Sequence, residues 1–170
     1  MSDVNKNLIF RILIHAVVLA LLYVLQTMVL SRFRLFGVVP LILPLAVVGV
    51  ALFEGPNWGG WVGLAAGMLS DVALSNHTVL FTILLTGLGL GVGLLSAYLL
   101  SRGFPSYFLC SGAALLVIAF FQMFPLLIFF RQSPLALLQV AGLQTLYSML
   151  FAVPLYYLAR TVGRRAGRLL

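Results

Sequence analysis

A carboxylate set in a long hydrocarbon run needs a chemical reason, and Asp71 is placed so. It closes the stretch Gly59-Gly60-Trp61-Val62-Gly63-Leu64-Ala65-Ala66-Gly67-Met68-Leu69-Ser70-Asp71. Residues four apart share one face of a helix, so Gly59, Gly63, Gly67 and Asp71 form a stripe of three bare backbone positions ending in an acid. Small residues at this spacing let a second helix approach closely, and in lipid such close packing drives helix association. An acid inside such a segment is costly. It faces protein or a water-filled cavity, where it marks a site or a buried pair.

Few other residues could do chemistry. The chain has no phosphate-binding Gly-rich loop ending in Lys-Ser/Thr, no nucleophile set beside a base, no pair of carboxylates close in sequence and no Cys/His cluster at ligand spacing. His15 has no second His or Cys at metal spacing and reads as an interfacial residue. Cys110 is the only cysteine, so it has no intramolecular disulfide partner, and its apolar surroundings make it a small packed hydrophobe. The expectation is a protein that is not an enzyme, with no metal and no cofactor. Ion-coupled transport usually needs several intramembrane polar groups, whereas Asp71 is the only acid inside a span.

The elements that must position Asp71 follow from composition. Of 170 residues, 63% are hydrophobic and 8% charged, which excludes an ordinary soluble domain and predicts an all-α integral membrane protein in one domain, residues 1–170. A bilayer core of about 30 Å asks for roughly 20 helical residues. Six stretches qualify, at about 12–30, 39–53, 58–74, 79–100, 106–130 and 135–159. The N-terminal run superficially resembles a signal peptide, but it is too long and lacks a small-residue cleavage site, so it reads as a retained first span.

Pro40 suits the opening turn of the second span, and Pro44 is expected to bend it. Glu54-Gly55-Pro56-Asn57 forms a polar turn. The three aligned glycines of the third span cost roughly 1 kcal/mol each in helix propensity, so that span depends on its neighbours for stability. A re-entrant helix is the alternative there. In the fourth span Gly89, Gly93 and Ala97 repeat the four-residue spacing and form a natural partner face for the first stripe. Gln139, Gln144, Thr145 and Ser148 are polar groups able to bond to other helices from the sixth span.

The net charge of +7 matters less than its distribution. Basic residues near span ends are orientation signals and anchors to lipid headgroups, not nucleic-acid contacts. With both termini cytoplasmic, Lys6, Arg11, Arg102, Arg160, Arg164, Arg165 and Arg168 lie inside, against Arg32, Arg34 and Arg131 outside. The third span then points outward. Asp71 lies near its C-terminal end, where the helix dipole disfavours an anion. Asp71 is therefore expected to be buried in the outer half of the bundle. Its partner should be Arg32, Arg34 or Arg131, or hydrogen bonds from neighbouring spans, and its role should be to fix how the third span packs.

Gly63-Leu64-Ala65-Ala66-Gly67-Met68-Leu69-Ser70-Asp71, followed by Ser75-Asn76-His77-Thr78, resembles the G-x-x-x-G-x-x-x-D segment of the bacterial rod shape-determining membrane protein family MreD. Val39-Pro40-Leu41-Ile42-Leu43 is similar to that family's proline followed by an apolar run, and length, span number and basic tail also fit. Leu80-Phe81 departs from the glycine often found there. The resemblance implies a non-enzymatic subunit of the cell-elongation machinery in the cytoplasmic membrane. Its partners would be an MreC-like scaffold, the MreB filament and the elongation peptidoglycan synthase, met through glycine-rich helix faces including Gly89 and Gly93. The family's six-helix fold also looks like the substrate-binding subunit of energy-coupling-factor vitamin transporters. That likeness supplies the alternative, a small-molecule-binding membrane subunit.

Overall fold

The computed structural model describes residues 2–30, 40–73, 79–98, 103–130 and 134–167, and they are helical almost throughout. The elements are α1 (Ser2–Val24), continued by a π-helical turn Leu25–Leu30, α2 (Leu43–Glu54), α3 (Pro56–Ala73), α4 (Leu80–Tyr98), α5 (Phe104–Phe130), α6 (Pro134–Leu150) and α7 (Ala152–Gly167). Among the described residues, Ile9–Met28, Leu80–Tyr98 and Phe104–Met123 are each long and apolar enough to cross a bilayer. The pair α6 and α7 makes a fourth if taken as one broken span. Several helices of this length and composition suggest a multi-pass membrane protein.

The shortest helix sits at the centre. In α2 every residue from Leu43 to Leu52 is buried, which is the fate of a helix apolar on all sides. It packs against α1, α3, α4, α5 and α7. Leu45, Leu52, Tyr107, Leu115 and Tyr156 belong to one side of this core, and Val47, Val62, Leu85 and Ile118 to the other. Tyr107 reaches into it and donates its hydroxyl to the Leu45 carbonyl at 3.1 Å, satisfying a polar group where water does not reach.

Two expectations about prolines change. Pro40 precedes the helix instead of opening it, and Pro44 stands in the first turn of α2, where its missing N–H belongs to a position with no helical acceptor. α2 is therefore not bent by Pro44. The bend falls in the sixth predicted span, which breaks at Phe151 into α6 and α7 at 49°. Pro154 has no N–H to give the Leu150 carbonyl four residues back, so the helix cannot pass straight through. Phe151 N–H turns to the Ser148 carbonyl at 3.0 Å instead.

The α2–α3 connection is a single residue. Gly55 has φ 91°, a conformation that glycine adopts without cost, and its N–H donates to the Ala51 carbonyl at 3.1 Å. Pro56 then starts α3 at the position where proline is favoured. Glu54 and Trp58 are thereby held on either side of a sharp reversal.

Candidate functional site

Polar side chains gather at two opposite ends of the bundle. At one end, Asp71 joins α3 to α4. Its Oδ1 accepts the Phe81 N–H at 3.1 Å, and its Oδ2 accepts the Thr82 N–H at 2.9 Å and the Thr82 hydroxyl at 2.7 Å. These two N–H groups are in the first turn of α4, where no helical acceptor exists. Asp71 thus acts as the N-cap of a helix that is not its own, and the positive end of the α4 dipole offsets the negative end of α3. Asp71 is buried, and the expected hydrogen bonds from a neighbouring span are present. Arg32, Arg34 and Arg131 lie outside the described residues, as do Ser75 to Thr78.

The glycine stripe builds the seam that Asp71 closes. A Cβ on Gly59 would lie 2.6 Å from both the Gly89 carbonyl oxygen and Ala51 Cβ. A Cβ on Gly63 would meet the Leu85 carbonyl, one on Gly67 the Thr82 Cα, one on Gly89 the Gly59 carbonyl, and one on Gly93 the Pro56 Cα. The pairings run antiparallel, 56 with 93, 59 with 89, 63 with 85 and 67 with 82, and end at Asp71 with Phe81 and Thr82. The two small-residue faces pack on each other, as their shared spacing predicts, and Gly59, Gly63, Gly67, Gly89 and Gly93 are filled by the chain's own backbone. A second chain's helix has no room on that seam. Ala97 is exposed and outside the seam.

Two further caps stand at the same end. The Gln26 side-chain carbonyl, carried on the π-helical turn, accepts the Ile42 and Leu43 N–H groups at 2.9 and 3.0 Å. Ser148 Oγ accepts the Leu41 N–H at 2.9 Å. Ser148 thus bonds to another segment, whereas Thr145 donates to Ala141 in its own helix.

The opposite end holds an ionic cluster. Arg11 Nη2 donates to Glu54 Oε2 at 2.9 Å, and His15 Nε2 lies 2.8 Å from Glu54 Oε1. His15 Nδ1 lies 2.8 Å from the Arg11 carbonyl oxygen. The Trp58 ring stacks on His15 with centroids 5.1 Å apart, and the Arg11 guanidinium stands 4.7 Å from the centroid of the Trp58 ring. The Glu54 side chain is 4% exposed. A neutral imidazole has one N–H, yet both ring nitrogens here face oxygens, so both contacts are hydrogen bonds when a second proton lies between His15 Nε2 and Glu54 Oε1. With that proton, Arg11, His15 and Glu54 together carry one positive charge.

Sequence reasoning assigned His15 to the interface and Glu54 to a turn and did not join them. The signal was present. Arg11 and His15 are four apart on one helix face, and the topology that puts Arg11 inside also returns the end of the second span to that side. The arrangement can orient its groups, since both Glu54 oxygens and both His15 nitrogens are held by neighbours, while the buried Arg11 Nε has no hydrogen-bond partner. Comparisons with protein-family models, with curated proteins and with solved structures gave no match.

Proposed function

We propose that this chain is a morphogenetic membrane subunit of the MreD type. It would support lateral peptidoglycan synthesis in the cytoplasmic membrane together with an MreC-like scaffold, the MreB filament and the elongation synthase. The observation that carries the reading is the clasp: the glycine-glycine-aspartate segment behind the resemblance forms a closed α3–α4 hairpin pinned by Asp71. A rigid hairpin of this kind suits a subunit whose work is to present fixed faces to other membrane proteins. In this reading the chain crosses six times, through α1, α2, α3, α4, α5 and the bent pair α6–α7, with both termini cytoplasmic.

Partner contact then falls on faces that the fold leaves open. On α3 the side opposite the glycines carries exposed Trp61, Met68 and Val72. On α4, Gly87 and Gly91 have nothing within 4 Å of an added Cβ. Depletion in a rod-shaped host should give round cells, and the tagged chain should co-purify with an MreC-like scaffold. Unchanged shape with lost vitamin uptake, and co-purification with an energy-coupling ATPase complex, would instead establish the small-molecule-binding subunit.

A further inference from the structure

The contacts of His15 depend on a proton count. Its Nδ1 lies 2.8 Å from the Arg11 carbonyl oxygen, and its Nε2 lies 2.8 Å from Glu54 Oε1. A neutral imidazole beside an ionised carboxylate can fill one of these contacts with a proton, and the other then sets lone pairs against each other. We propose that the cluster is a proton-operated latch on α1: one proton shared by His15 and Glu54 holds the helix against α2 and α3, and its loss frees that end.

The placement of α1 makes such a latch effective. Between Ile9 and Met28 the buried residues are His15, Leu19 and Leu22, while Ile12, Leu13, Val17 and Leu21 are exposed. In lipid there is no hydrophobic force to drive helices together, so a helix attached along one narrow stripe relies on close packing and on its polar contacts. α1 has such contacts at both ends. Arg11 and His15 reach Glu54, and Gln26 of the π-helical turn caps Ile42 and Leu43. The Gln26 contacts are an amide and two backbone N–H groups, which do not titrate. A change of pH therefore acts at the Glu54 end and leaves the Gln26 end as the hinge.

The neighbours of the ring fix the sign. The charged groups facing it are Arg11 from its own helix and Glu54 from α2. α3 presents the Trp58 ring, stacked with centroids 5.1 Å apart, and α7 presents Ala159 and Val162 beside it, none of which titrates. Glu54 Oε2 accepts from Arg11 at 2.9 Å, so the carboxylate keeps a partner when the shared proton goes. His15 does not keep both of its contacts. If the remaining hydrogen is on Nε2, the Nδ1 lone pair meets the Arg11 carbonyl, and if it is on Nδ1, the Nε2 lone pair meets the carboxylate. In either tautomer the ring leaves its place against Trp58. The closed latch holds a proton that the open one gives up, so by linkage its contribution is present at low pH and lost as the pH rises.

The test uses the full chain in detergent micelles. The chain has two tryptophans, and Trp61 is exposed, so Trp61→Phe leaves Trp58 as the reporter. Its emission should change in one reversible step between about pH 5 and 8, where histidine side chains change charge. The slope should be that of one proton, about tenfold in the ratio of the two forms per pH unit. Above the step, the α1 backbone around His15 should lose protection from amide hydrogen exchange, once the pH dependence of the same segment in His15→Gln is divided out. In His15→Gln the side-chain amide can donate to Glu54 but does not titrate, so its Trp58 emission should stay flat. His15→Asn serves if His15→Gln does not fold. A flat curve in the Trp61→Phe chain, a step that survives in the His15 variant and so belongs to another group such as His77, or a step without loss of α1 protection would each overturn the proposal.

Discussion

Glu54 and Asp71 pose the same electrostatic problem at opposite ends of the bundle, and the fold solves it twice by different means. Each acid stands in the last turn of its helix, α2 or α3, where the carbonyl ends of the dipole repel an anion. Glu54 is balanced by side-chain cations, Arg11 and His15, brought from α1. Asp71 is balanced by backbone N–H groups and a hydroxyl at the start of α4. The backbone solution meets the carboxylate with neutral dipoles and uses groups that every helix start possesses. The side-chain solution sets two basic side chains against one carboxylate. One end is thus clasped by the backbone of a neighbouring helix, and the other by side chains brought from far along the chain.

The difference should be largest when an acid is removed. Glu54→Gln leaves the Arg11 guanidinium and the His15 ring side by side without a carboxylate. Losing one member of a buried pair costs about 3–5 kcal/mol, to be read as a fall in thermal unfolding temperature in detergent. A cost smaller than that of Asp71→Ala would break the comparison, because it would show that the cations are stabilised by something other than Glu54. Asp71→Ala should come next. It strips two N–H groups in the first turn of α4 of a charged acceptor, at about 3 kcal/mol together, and should also lower the amount of protein in membranes. Asp71→Asn keeps an oxygen able to accept one of those N–H groups, and asparagine caps helices nearly as well as aspartate. It should cost about 1 kcal/mol. An Asn variant as damaged as the Ala variant would mean that charge, not cap geometry, holds the clasp.

The two ends also differ in how far the chain alone revealed them. The Asp71 end was legible because its evidence is local: a four-residue spacing of glycines, one acid in the same register and a second small-residue face in the next span. The spacing could not reveal the receiving group, because a backbone N–H has no signature in side-chain identity. The sequence offers two kinds of partner, the charged Arg32, Arg34 and Arg131 and hydrogen bonds from neighbouring spans, and the second kind is present. The Glu54 end was missed because its members lie 39 and 43 residues apart in the chain and each has an ordinary local reading. Much the same holds for the fold. Periodicity and apolar length placed most helices within a few residues, but the break at Phe151 depended on weighing Pro154 against an unbroken hydrophobic run. The burial of all of α2 depended on the neighbours that surround it.

The smallest expected effect on stability sharpens the contrast between packed and open glycines. Gly63 and Gly87 both lie on the α3–α4 hairpin, yet an added Cβ at Gly63 meets the Leu85 backbone while one at Gly87 meets nothing. Gly87→Leu should therefore leave folding within about 0.5 kcal/mol of the parent. It could even gain up to about 1 kcal/mol, since leucine favours the helix over glycine. Its effect should appear in assembly instead. A face that a partner helix approaches closely tolerates a small residue and rejects a large one, so under the proposed function Gly87→Leu should reduce recovery of an MreC-like scaffold without lowering the level of the chain itself. Unaltered recovery would assign this face of α4 to lipid and move the partner contact to the Trp61, Met68 and Val72 side of α3. A drop in the melting transition as large as that of Asp71→Ala would show that the face around Gly87 is packed within the chain, and that the seam is wider than the stripe of glycines that marks it.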